Sequence, residues 1–156
     1  MAKWTALCLF LAMTPAFGQM KAQSPSGETE VRAALNNFLT AFDNLEWDKF
    51  RLAFVDDATV FYPRAMPDRA DARAQFEAGF KKVFEQIRGD RTAAPYLHIE
   101  PKELQIKMLG NVAIITFHLD DRPGFLNRRT VVMTKTEAGW KIVHLHASEV
   151  ATEMRR

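Results

Sequence analysis

The sequence predicts an α+β fold in which three N-terminal helices pack against one face of a curved antiparallel sheet. Three observations carry this. From Glu28 to about residue 90 the apolar residues recur at three- and four-residue spacing, the period of an amphipathic helix. Beyond residue 97 the chain changes to long runs rich in Val, Ile and Thr. The third is the segment 128–148, RRTVVMTKTEAGWKIVHLHAS, in which two such runs flank Glu137-Ala138-Gly139, a tight antiparallel hairpin. Helices first and a meander of strands afterwards place the helices together on one side of the sheet.

Each element follows in order. Val31, Leu35, Phe38, Leu39 and Phe42 mark a first helix starting near Ser26 or Thr29 and ending near Asn44. Trp47, Phe50 and Phe54 mark a short second helix over 47–54, and a β-type run over 58–62 is stopped by Pro63. After a loop over 63–68, Ala72, Phe76, Phe80, Val83, Phe84 and Ile87 mark a third helix closed by Gly89 and Asp90. Strands are predicted over 97–109, 112–120, 127–136 and 140–150, with turns at Gly110-Asn111 and Arg122-Pro123-Gly124. Pro101 calls for a bulge or an edge position in the first of these.

At 156 residues the chain is long enough for one domain with a real core, and it has no internal repeats. Its net charge of +2 is spread evenly, which speaks against a nucleic-acid surface, since that needs Lys and Arg clustered on one face. The amino terminus reads differently. Lys3, an apolar run over 4–13 and Ala16-Phe17-Gly18 match a secretory signal peptide cut after Gly18. The run ends at Thr14-Pro15, well short of the ~20 residues a membrane span needs. Cys8, the single cysteine, would leave with it, so the mature chain is expected to have no disulfide or thiolate site. The expected organisation is a signal peptide over 1–18, a disordered lead-in over 19–27, a domain over 28–150 and a tail over 151–156, in a secreted or periplasmic protein without a membrane anchor.

The arm Trp140-Lys141-Ile142-Val143-His144-Leu145-His146-Ala147-Ser148 resembles the closing strand of the nuclear-transport-factor-2-like superfamily. The likeness is greatest to its SnoaL-like branch and to the association domain of calcium/calmodulin-dependent kinase II. Ala58-Thr59-Val60-Phe61-Tyr62-Pro63 is similar to the family's first strand. The resemblance implies a cystatin-like cone whose sheet curls around the helices and encloses a ligand cavity. It also implies a homodimer through the outer sheet face. In the kinase relative, arginines occupy the positions of Val131 and Ala147 and face the cavity; here valine and alanine depart from that pattern.

Strand alternation places Val143, Leu145 and Ala147 on one face of the last arm and Ile142, His144, His146 and Ser148 on the other. In its partner arm, Arg129, Val131 and Met133 share a face. Arg129 is the candidate anchor, for either a ligand carboxylate held bidentately or an internal acid. Trp47, Tyr62, Phe80, Val131 and Leu145 are the candidates to line the cavity, although aromatic residues at these spacings mostly build core.

Isomerase chemistry on this fold needs a carboxylate base and a proton donor, for which Asp43 and Tyr62 are the candidates; the first helix offers Phe38 and Phe42 where a tyrosine would stand. For a SnoaL-type cyclase, Asp120 and Asp121 with His118 are the nearest acid/base set, or else an acidic hairpin loop. His144 and His146 with His118 could bind a metal through three imidazoles, but outer-face hydrogen bonding at a dimer interface is the reading favoured, and no metal or cofactor is expected. The expected function is small-molecule binding in the cone, of an apolar or carboxylate-bearing compound and without catalysis. The alternative is a cofactor-independent isomerase, cyclase or hydratase.

Overall fold

A computed structural model describes residues 25–62, 69–70, 73–120 and 123–152. The expected signal peptide, its cleavage site and the end of the tail lie outside the described residues. Helix α1 (Pro25–Asp43) buries Val31, Leu35, Phe38 and Leu39 along one stripe. It begins slightly ahead of the expected start, taking in the end of the anticipated lead-in, because proline is well suited to a helix's first turn. Helix α2 (Trp47–Leu52) is a short turn that buries Phe50.

Strand β1 (Phe54–Phe61) starts four residues earlier than the sequence suggested. Asp56 and Asp57, which look like loop residues, are exposed at an irregularity in the pairing between Phe54 and Thr59. Helix α3 (Arg73–Asp90) buries Phe76, Gly79, Phe80 and Phe84. Strands β2 (Lys102–Leu109), β3 (Val112–Leu119), β4 (Phe125–Thr136) and β5 (Gly139–Ala151) follow as a meander. Residues 97–101, expected as strand, form a loop instead. Strand β2 begins directly after Pro101 and has a pairing irregularity between Lys102 and Gln105. At the β4–β5 turn, Gly139 has φ 97°, a conformation that an L side chain would strain.

The sheet order is β1-β5-β4-β3-β2. Strands β2 to β5 are antiparallel neighbours, while β1 adds to the outer edge of β5 in parallel. Simple alternation also fails between β4 and β5. Val132 pairs with His144 and Met133 with Ile142, so Val143 is an extra residue in β5. That bulge turns Ile142 to the buried face with Leu145 and Ala147, correcting the expectation that Ile142 lies with the histidines.

The core lies between the helices and this face. Phe50 is fully buried at its centre, with ring centroids 4.7 Å from Phe80, 5.1 Å from Phe84, 5.2 Å from Phe42, 5.3 Å from Phe38 and 5.4 Å from Phe54. Rings at this spacing in tilted and edge-on arrangements fill volume and gain quadrupole attraction. The consequence for function is direct: phenylalanine occupies much of the cone's interior.

Candidate functional site

A cavity of about 560 Å³ lies beside the phenylalanine cluster. Its apolar wall is Phe42 from α1, Val83 and Ile87 from α3, Leu97 and Ile99 from the following loop, and Leu119 at the end of β3. Charged groups line it as well: Asp90, Arg91, Glu100, Lys102, Asp120 and Arg129. Such a site, apolar with a few convergent polar groups, suits a small organic molecule carrying one polar or charged function.

Arg129 reaches this cavity because β4 alternates it with Asn127 and Val131 on the inner face, where it pairs with Phe117 on β3 and Ala147 on β5. Its Nη1 donates to the Arg128 carbonyl at 3.0 Å. Asn127, two residues away and fully buried, is the single buried polar residue among the described residues. Opposite, Lys102 Nζ and Asp120 Oδ2 form an ion pair at 3.2 Å, each about half exposed. A pair so exposed contributes little to stability and leaves both groups accessible to a ligand.

The loop wall is held by Asp43. Its Oδ1 accepts the backbone N–H of Leu97 at 3.1 Å and of Ile99 at 3.2 Å, and its carbonyl accepts the N–H of Tyr96 at 2.8 Å. Arg91 further donates to the Tyr96 carbonyl. Between the two amides that share Oδ1 stands His98 with φ 54°, a conformation that histidine adopts infrequently. Asp43, the residue considered as a base, therefore acts here as an acceptor for the wall. Tyr62, its suggested partner, donates its hydroxyl to the Phe76 carbonyl at 2.8 Å, and burial pushes its phenol pKa well above the usual value.

The other candidates separate. Arg129 lines the cavity; Trp47, Tyr62, Phe80, Val131 and Leu145 do not. Phe80 and Tyr62 pack together at 5.0 Å in the aromatic core, and Val131 is fully buried in the sheet. Trp47 stacks on Phe50, meets Phe84 edge-on and carries Lys81 Nζ 5.3 Å above its ring. Aromatic spacing marked residues that meet one another rather than a ligand. Sequence reasoning missed most of the lining, Val83, Ile87, Leu97, Ile99, Lys102 and Leu119 among it; Leu97 and Ile99 are expected as strand and lie in a loop, for which the signals are Pro101 and the acid at the end of α1.

On the outer face, His144 Nδ1 and Thr59 Oγ1 share a hydrogen bond of 2.7 Å, and Phe61 lies 5.4 Å from His146. Burial, with lesser effects of His146 and Arg69, holds His144 below the usual histidine pKa. His118 is two strands away from them across β4, its Nδ1 3.1 Å from Glu103 Oε2. The three imidazoles do not converge, and no group of three or more metal-ligating side chains is found among the described residues.

Residues 31–153 match the family model of the SnoaL-like domain. Among solved structures, a proposed dehydratase of the nuclear-transport-factor-2-like family from Streptomyces avermitilis is similar, with a TM-score of 0.69, 16% identity, and coverage of 83% of this chain and 100% of that chain. A nuclear-transport-factor-2-like protein of unknown function from Pseudomonas putida KT2440 has a TM-score of 0.67 at 17% identity, covering 81% and 89%. A proposed calcium/calmodulin-dependent kinase II association domain from Thiobacillus denitrificans has a TM-score of 0.60 at 21% identity, covering 76% and 94%. At these identities the likeness is one of fold. No curated protein matches the chain.

Proposed function

The chain belongs to the SnoaL-like domain family, and from that premise we propose that it is an exported domain that binds a small apolar molecule bearing a carboxylate in its cone cavity, without catalysis. The observation that carries this reading is the cavity itself, walled by Phe42, Ile87, Leu97, Ile99 and Leu119 and reached by Arg129. An apolar wall takes up the ligand's body by the hydrophobic effect, and a guanidinium can hold a carboxylate through two parallel hydrogen bonds. Asp43 and Tyr62 both have structural hydrogen-bond partners, which favours binding over isomerase chemistry built on that pair. Export rests on the leader pattern of residues 1–18.

We further propose that the protein is a homodimer through the outer face of its sheet. That face carries Phe61, Ile114, Val132 and His144, all only partly buried in the single chain.

Thermal-shift measurements on parent and Arg129→Ala proteins test the binding reading, using small aromatic and alicyclic carboxylates beside their neutral amides. A ligand at a hundred times its Kd adds ~2.7 kcal/mol. The expected result is a rise of several degrees with carboxylates on the parent, lost in Arg129→Ala. No shift with any carboxylate, or an equal shift in Arg129→Ala, overturns the reading.

A second reading, a cofactor-independent isomerase, cyclase or dehydrating enzyme, has one observation in its favour: Asp120 lines the same cavity. The name of the dehydratase neighbour points the same way. Turnover of a bound carbonyl compound, abolished in Asp120→Asn with binding retained, would establish it.

A further inference from the structure

We propose that a second binding site, for an anionic amphiphile with a carboxylate on a short alkyl chain, lies in the groove between α1, α2 and the β4–β5 hairpin. The groove has a volume of about 800 Å³ and shares no lining residue with the cone cavity. Small side chains create it. Ala34 on α1, Ala53 after α2 and Gly139 at the hairpin leave space that larger residues would fill, with Phe38 and Trp140 completing the apolar floor. Leu52 on its rim is 56% exposed, one of two large apolar side chains so exposed among the described residues. A volume of this size accommodates a small organic ligand, for which sites of ~300–1,000 Å³ are usual.

The charges on the rim select the ligand's sign. Glu30 accepts from both Lys135 Nζ and, at 3.1 Å, the Trp140 indole N–H. Glu46 pairs with Lys49 at 2.9 Å. Lys141 differs: its ammonium donates to the Leu52 carbonyl at 2.6 Å and pairs with no carboxylate among the described residues. Three lysines against two glutamates leave one positive charge, and it stands at Lys141 beside the apolar floor. A carboxylate would pair with that ammonium while its alkyl chain covered Leu52, Ala53 and Phe38. An alkylammonium of the same length would meet like charge.

The test is to titrate the protein with octanoate and with octylammonium while following the indole N–H resonances by NMR, with Trp140 assigned by Trp140→Phe. Octanoate is expected to shift the Trp140 signal saturably, and octylammonium is not. Lys141→Gln, which keeps the length but not the charge, is expected to weaken octanoate about fivefold, and Ala34→Leu to abolish the response by filling the floor. Arg129→Ala, outside the groove, is expected to leave the Trp140 response unchanged, which separates it from binding in the cone. Absence of a saturable shift, an equal response to octylammonium, or parent-like octanoate affinity in a folded Lys141→Gln overturns the proposal.

Discussion

Replacing Asp43 by alanine tests how the cavity wall is built. The substitution removes the acceptor shared by the Leu97 and Ile99 amides. Hydrogen bonds to a charged acceptor contribute ~1.5–3 kcal/mol each when well made. These two lie at the long end of the normal range and Asp43 is only partly buried, so water recovers part of the loss. The expected cost is about 2 kcal/mol in total, or about 6–8 °C in Tm for a domain of this size. Asp43→Asn keeps an oxygen at Oδ1 and is expected to cost about half as much. Urea unfolding measures both. Amide exchange supplies an internal control: Leu97 and Ile99 should exchange faster in Asp43→Ala, while Tyr96, whose N–H goes to the Asp43 backbone carbonyl, changes least. If Asp43→Asn is as damaging as Asp43→Ala, or if Asp43→Ala changes stability by less than ~0.5 kcal/mol, the reasoning is refuted. Loss of a catalytic activity in Asp43→Asn with stability retained would instead reinstate it as a base.

Three further outcomes are expected. Phe50→Ala, at the centre of five neighbouring rings and with no exposure, should cost ~3–5 kcal/mol by urea unfolding, a large part of a typical domain's stability. Tyr62→Phe removes the donor to the Phe76 carbonyl and should cost about 1 kcal/mol; a spectrophotometric titration of the parent should lose its highest-pH phenol component in this variant. His144 has a folded-state pKa below its unfolded value, so the stability it contributes is complete above about pH 6.5 and is lost as the pH falls through the folded pKa. His144→Gln should therefore flatten the pH dependence of Tm over that interval, and an unchanged slope would sink the assignment.

The architecture could be read from the sequence because periodicity is local information. Apolar spacing over 31–42 and 76–87 reports a helix face, and alternation over 112–119 reports a strand face, whatever lies opposite. The hairpin followed from Glu137-Ala138-Gly139 for the same reason. Of the candidate site, Arg129 was legible because β4 alternates without interruption from Asn127 to Met133. Strand β5 does not: the extra residue at Val143 reverses Ile142, and nothing in the segment itself announces a bulge, since the cost of placing Ile142 outside arises only when the helices cover the sheet.

Element order, the helix faces, the strand faces outside the β5 bulge, the hairpin and a basic residue on the inner sheet face were thus determined by the sequence alone. Tertiary structure alone decided which aromatic rings fill the cone and which space is left over, because packing depends on the distances between elements rather than on spacing within one. It also decided that residues 97–101 leave the sheet. Their strand-like composition is overridden by a half-buried carboxylate 54 residues before Leu97, at Asp43, which accepts the Leu97 and Ile99 amides when α1 and this loop meet.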